Sequence, residues 1–285
     1  MPSYLITGAS RGLGYEFLRQ ISTIPSNIVV GLVRNKAETE AKVKALNRPN
    51  VHIVQADLED FESLKKSVNE VSSIVNGSLD YLIANAGYIS SWSAYDSLTT
   101  LGDDPERLEE DLLKCFRVNT IGNIHLINLY LPLVLKGDVK KVITLSSGFA
   151  DNELTINYNI SEAGPYTISK SAMNTAVAKY SAAYAEQGVL FLSIAPGAVE
   201  VGQDAGSENQ FLTQNAMLTT VKVTEEQIPK AMALGGKFAR YAPHFKGRTM
   251  PEESIKDMLS VIDKASVKDG YGGSFISHKG TKQWL

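Results

Sequence analysis

The sequence predicts a single α/β domain in which a parallel sheet is covered by helices on both faces. Short, nearly continuous apolar runs recur at residues 4–7, 28–33, 51–55, 81–84, 141–145 and 189–195. Runs that do not alternate with polar residues suit strands buried on both faces. Stretches with apolar residues at helical spacing separate them, and alternating strand and helix is the pattern of a doubly wound fold. The chain has 285 residues, of which 44% are hydrophobic and 21% charged, a balance that allows one large buried core.

Each element has its own signal. The first strand ends in glycines, and residues 12–22 then set Leu13, Phe17, Leu18 and Ile21 on one helical face. Residues 61–75 repeat the pattern with Phe61, Leu64, Val68, Val71 and Val75, and Asn76-Gly77 reads as a turn. Longer helices are expected over 106–135 and 166–187. No strand is evident from 198 to 242, where Gly202-Gln203-Asp204-Ala205-Gly206-Ser207 reads as flexible. Residues 198–250 are therefore expected to form an insertion, either a substrate lid or ordinary surface. A helix should start near Pro251, with Glu252 and Glu253 at its positive end. Ser274-Phe275-Ile276 closes the sheet, which makes about seven strands.

Charge and composition exclude several classes. A net charge of −3 removes the usual basis for gripping nucleic acid or an anionic membrane. The single cysteine, Cys115, forms no internal disulfide, and with four scattered histidines it gives no closed zinc cluster. No apolar run approaches the roughly 18 to 20 residues of a membrane helix. The first residues lack the basic and apolar regions of a signal peptide, so a cytoplasmic location is expected and Asn76-Gly77-Ser78 and Asn159-Ile160-Ser161 read as chance glycosylation triplets.

Thr7-Gly8-Ala9-Ser10-Arg11-Gly12-Leu13-Gly14 follows the first strand and opens the first helix. Glycines there let backbone approach a pyrophosphate, and the helix N-terminus offers free N–H groups with partial positive charge. The spacing is Gly-x3-Gly-x-Gly, so a dinucleotide site is favoured over a bare glycine turn chiefly by its place after the first strand. At the end of the second strand an acid would bind the ribose hydroxyl of NAD, and an arginine the 2′-phosphate of NADP. Val33-Arg34-Asn35 has no acid there, and Arg11 adds a second cation, so NADP(H) is expected over NAD(H). Asp57, after the third strand, could accept from an adenine amino group or cap a helix. Asn85-Ala86-Gly87 follows the fourth strand with small residues that let the chain pass close beneath a cofactor.

Tyr166-Thr167-Ile168-Ser169-Lys170 starts a helix, and residues four apart share one face. A free phenol has a pKa of about 10 and is a poor base at neutral pH. Lowering it by two or three units takes roughly 3 to 4 kcal/mol, which a partly desolvated lysine nearby can supply. Tyr166 could then exchange a proton with an alcohol or carbonyl oxygen.

Thr7-Gly8-x3-Gly12-x-Gly14, Asn85-Ala86-Gly87, Asn119, Ser146-Ser147, Tyr166-x3-Lys170 and Pro196-Gly197 together resemble the short-chain dehydrogenase/reductase family, in family order over residues 3 to 200. The ending, with Gly273-Ser274-Phe275-Ile276-Ser277-His278 and Gln283-Trp284-Leu285, is similar to fungal members. The resemblance implies one Rossmann-like domain with strand order 3-2-1-4-5-6-7, and hydride transfer between a nicotinamide and a carbonyl/alcohol pair. It implies Tyr166 as general acid/base, with Lys170 on the nicotinamide ribose. Ser147 would bind the substrate oxygen, with Ser146 as the alternative, and Asn119 would anchor a relay water. The implied cofactor lining is Gly8, Ser10, Arg11, Gly12, Leu13, Gly14, Arg34, Asp57, Leu58, Asn85, Ala86, Gly87, Tyr166, Lys170, Pro196, Gly197 and Val199.

Two departures stand out. In many members the serine lies closer to the tyrosine, at a position that here holds Glu153, so the loop at 151–158 is longer than usual and either shapes the substrate pocket or is plain surface. A threonine that often follows Pro-Gly is here Val201. The expected function is an NADPH-dependent carbonyl reductase acting on a lipophilic small molecule, working as a homodimer or homotetramer packed through the two long helices. The competing reading is a catalytically silent dinucleotide sensor. A serine hydrolase lacks its Gly-x-Ser-x-Gly elbow.

Overall fold

A computed structural model describes residues 1–201 and 223–285. The chain runs β1 (Ser3–Thr7), α1 (Gly12–Ile21), β2 (Ile28–Val33), α2 (Lys36–Lys44), β3 (Val51–Gln55), α3 (Phe61–Ile74), β4 (Tyr81–Ala84), α4 (Leu98–Leu101), α5 (Pro105–Phe116), α6 (Gly122–Val134), β5 (Lys141–Leu145), α7 (Asn152–Tyr158), α8 (Gly164–Ala183), β6 (Leu190–Ala195), α9 (Ile228–Tyr241), α10 (Pro251–Lys264) and β7 (Phe275–Ser277). The seven strands form one parallel sheet in the order β3-β2-β1-β4-β5-β6-β7, as the resemblance implies.

Alternate residues of each strand feed opposite layers, which is why the apolar runs are continuous. Leu5, Val30, Leu82, Val142 and Phe191 join one core with α3, α6 and α8. Ile6, Val29, Ile83, Ile143 and Leu192 join the other with α1 and α10. A third, smaller core lies beyond the carboxyl ends of the strands and includes Tyr95, Phe149, Leu154, Leu234, Phe238 and Trp284.

Several elements differ from expectation. The helix expected over 106–135 is broken by a π turn at Arg117–Ile121, in which the Gly122 N–H reaches back five residues to the Arg117 carbonyl. Carbonyls loosened by that extra residue are taken by Asn123, whose Nδ2 donates to Val118 at 3.2 Å and Asn119 at 3.0 Å. The stretch at 151–158 is a helix, α7, rather than a loop. Asp151 caps it and Asn159 ends it in the left-handed conformation (φ 53°). The helix expected over 166–187 starts earlier and stops at Ala183. Helix α2 was not anticipated, because it is polar almost all round; Asn35 caps it through the Glu38 N–H. Asp60, not Asp57, caps α3. Asn76 and Gly77 do turn the chain, both with positive φ, and α10 begins at Pro251 as expected.

Within the insertion expected at 198–250, residues 202–222 lie outside the described residues. The described part contributes a parallel bridge, Val199 to Thr249, and helix α9. Ion pairs from Lys230 to Asp96 (2.5 Å) and from Lys237 to Glu162 (2.6 Å) fasten α9 to the body.

At the amino edge of the sheet, buried Asp80 accepts from Ser3 N–H (2.9 Å) and Oγ–H (3.1 Å), and from Asp138 and Val139 N–H (2.9 and 3.1 Å). Asp80→Ala strands three backbone donors and should destabilise the protein by about 3 kcal/mol in urea titrations.

Candidate active site

The strand order reverses between β1 and β4, and such a switch point opens a crevice at the carboxyl ends of the strands. Thr7 builds the junction. Its carbonyl accepts from Asn85 Nδ2 at 2.9 Å and its hydroxyl from the Ala86 N–H at 3.0 Å. The Asn85 side chain is thus engaged inward. A Cβ on Gly14 would drive into the Gly8 carbonyl and the Asn85 amide, so only glycine lets α1 start this close to the sheet.

Arg11 occupies the cap position of α1 without a side-chain capping bond, and the first turn carries no acid. The first N–H groups of the helix therefore lack an internal partner and face the crevice end of the sheet. Gly12 has φ +56°, and the nearest atom to a Cβ there is the Val201 side chain at 3.7 Å. This uncapped terminus beside bare backbone fits a dinucleotide pyrophosphate.

Arg11 and Arg34 are both exposed. A third cation, Lys42 on α2, stands beside the same loop. Its Nζ donates to the Ser10 carbonyl at 3.1 Å and lies 3.9 Å over the Tyr15 ring. Sequence reasoning missed it because α2 was not recognised. Asp57 Oδ1 accepts the Glu59 N–H at 3.1 Å. Leu58 is pressed by Gly122, where a Cβ would sit 2.5 Å from the Leu58 carbonyl. Past β6, Ser254 Oγ–H donates to the Pro196 carbonyl at 2.7 Å, Val199 is buried, and Gly197 (φ +82°) is covered by buried His278.

Farther along the same edge, α8, the π turn and the end of β5 converge. Lys170 is buried, and its Nζ donates to the Leu145 carbonyl at 2.7 Å while lying 5.8 Å from the Tyr166 ring centroid. A Cβ on Gly87 would come within 3.2 Å of both Lys170 Nζ and Asn119 Oδ1, so this glycine keeps the space between the two open. Asn119 is fully buried. It accepts the Tyr88 N–H (2.7 Å) and donates to the Tyr88 carbonyl (2.8 Å) and to Ser169 Oγ (2.9 Å). Ser169 Oγ–H donates in turn to the Tyr166 carbonyl at 2.7 Å, a clamp that sequence reasoning missed although Ser169 lies inside the Tyr-x3-Lys motif.

The structure brings Ser147 rather than Ser146 to the phenol. Ser147 lies close enough to Tyr166 to pull the pKa of the phenol down, whereas Ser146 Oγ is buried with no partner among the described residues. Burial pushes the Tyr166 pKa up to about 12, with Ser147 pulling the other way. Burial also lowers Lys170 to about 8. Desolvation is the leading cause in both groups, and it works against the lowering expected of the phenol. Cys115 adjoins the pair, but burial raises its thiol to about 12, which leaves it neutral and inert.

The short chain dehydrogenase family profile matches residues 3–211. The chain belongs to this family. Short chain dehydrogenase virK of Hypocrea virens is 50% identical over 287 residues, covering 100% of each chain. Short-chain dehydrogenase/reductase iacC of Pestalotiopsis fici is 44% identical over 288 residues, again covering 100% of each. Among solved structures, the NADPH-bound carbonyl reductase from chicken fatty liver superposes with a TM-score of 0.74 at 24% identity, over 99% of this chain and 93% of the other. That likeness establishes the shared fold.

In this short-chain dehydrogenase the displaced lysine has a thermodynamic signature. Lys170 titrates near 8 when folded and near its ordinary value of 10.5 when unfolded. Between those values the unfolded chain binds more protons, so this group makes stability rise with pH. Relative to Lys170→Met, the wild type should gain melting temperature from pH 8 to 10. An unchanged or falling difference would contradict the lowered pKa.

Proposed function

We propose that this dehydrogenase is an NADP(H)-dependent oxidoreductase that reduces a ketone or aldehyde to an alcohol, or runs the reverse. The observation that carries the reading is the convergence of Tyr166, Lys170, Ser147 and Asn119 on the crevice edge that also holds the uncapped glycine loop. The coenzyme, bound along Gly8 to Gly14, Asn85 to Gly87 and Pro196 to Val199, would supply a hydride to the carbonyl carbon. As the carbon–oxygen π bond breaks, the oxygen takes a proton from Tyr166, and the balance is one hydride and one proton added to give the alcohol. A phenol with a pKa of about 12 is protonated at neutral pH and ready to donate, which supports the reductive direction. Ser147 donates to the same substrate oxygen and holds it against the phenol. Lys170, near 8, resupplies the tyrosine proton, with Asn119 holding the relay in place.

Arg11, Arg34 and Lys42 support a preference for the 2′-phosphate of NADP(H), because no acid stands with them at the end of β2. The third core, against which Tyr166 packs, is aromatic and aliphatic, which supports a lipophilic substrate. Exposed Leu113, Phe116, Ile121 and Ile168 on the two central helical stretches support a homo-oligomer. No described helix is long and apolar enough to cross a membrane.

Tyr166→Phe should cut turnover by about 10²- to 10⁴-fold while NADPH titration by fluorescence is unchanged. Full turnover in that variant sinks the mechanism. NADPH binding by the wild type without turnover on a broad carbonyl panel would instead favour a sensor. Arg34→Ala should weaken NADPH about 10- to 100-fold relative to NADH, the loss expected for one charge-assisted bond. An unchanged ratio in competition titrations would remove Arg34 from cofactor choice.

A further inference from the structure

Trp284, in the segment after β7, is 3% exposed and joins three separate parts of the chain. Its ring stacks on Phe275 with centroids 4.4 Å apart and planes at 18°. Its indole Nε1–H donates to Asp151 Oδ2 at 2.7 Å, and its backbone N–H donates to the Tyr241 hydroxyl at 2.9 Å. It also lies directly over Gly148, where a Cβ would come within 2.7 Å of Trp284 Cβ and 2.9 Å of Cγ.

Gly148 and Asp151 bound the short helical turn that Ser147 opens. Ser147 Oγ accepts the Phe149 N–H at 3.3 Å, and the Ala150 N–H donates to the Ser147 carbonyl at 2.9 Å. The second Asp151 oxygen, Oδ1, accepts the Glu153 N–H at 2.9 Å and so caps α7. One carboxylate thus ties the indole to α7, while the indole covers the residue that follows Ser147. A tryptophan is well suited to this, because it offers a large rigid face and one directed donor.

We infer that Trp284 is a positioning residue that clamps the Ser147 turn from behind and holds the Ser147 hydroxyl at its working distance from Tyr166. The inference rests on the reductase reading for its catalytic consequence. It explains why position 148 holds glycine: any side chain there would displace the clamp. It also gives Asp151 a role beyond capping. With the clamp loosened, Ser147 no longer holds a fixed distance to the phenol, and small misplacements of reacting groups lower the rate steeply.

Trp284→Phe keeps a ring for Phe275 but loses the donor to Asp151, and Tyr241→Phe, a milder change, loses only the acceptor for the Trp284 N–H. Trp284→Phe should speed amide hydrogen exchange at 148–151 and lower kcat about tenfold, with NADPH affinity unchanged. The tyrosine limb of the pH–rate profile should move to higher pH, because Ser147 is what pulls that pKa down. Tyr241→Phe should show the same changes at smaller size. Unaltered exchange at 148–151 in both variants, or a lower melting temperature with unaltered kcat and pH profile, overturns the clamp. If the wild type turns over no carbonyl, the reductase reading fails, and the exchange data alone decide whether the clamp exists.

Discussion

Two hydrogen bonds into Thr7 decide where this molecule can work. By receiving the Asn85 side chain and the Ala86 N–H at the ends of β1 and β4, Thr7 holds together the two strands from which the chain departs in opposite directions. The crevice at that point is therefore a consequence of winding order, and its width is set by backbone contact. Gly14 brings α1 against the junction, and Gly87 leaves room for Lys170 and Asn119 to approach it from the far side. The helix terminus and the tyrosine–lysine pair are thereby placed along one edge by the same junction.

The chemistry of that edge is governed by burial. An ammonium brought close to a phenol favours the phenolate, but removing both from water favours their neutral forms, so the phenol rises and the lysine falls. Among the described residues the Leu145 carbonyl accepts from the ammonium, and Ser147 works against desolvation at the phenol. On the proposed reaction, a protonated phenol beside a lysine lowered to about 8 would serve as a proton source with a local supply.

The sheet was legible because strands buried on two faces need apolar residues at every position, and that leaves an unbroken trace in the sequence. The glycine loop and the tyrosine–lysine pair were legible because backbone clearance and helical periodicity each demand particular residues at fixed spacing. What escaped was either polar or distant. Helix α2 has no apolar stripe, so Lys42 went unnoticed beside the loop it touches. Helix α7 depends on a cap at Asp151 and a left-handed Asn159, signals too local to stand out in a loop-like stretch. Asp57 resembled a cap, but the residue that caps α3 stands three positions later, at Asp60. The contacts of Trp284 with Gly148 and Asp151 join residues more than 130 positions apart, and no periodicity reports such a pairing.

The π turn at Arg117–Ile121 carries an arithmetic consequence. One residue more than an α-helical turn requires is accommodated there, and each residue of a helix rotates its successors by about 100°. Deleting a single residue between 117 and 121 would restore an ordinary helix and yet swing either Asn119 away from Ser169 or the Tyr130 face of α6 out of its core. The surplus residue is the joint that lets one half of a helix answer to the crevice while the other answers to the sheet.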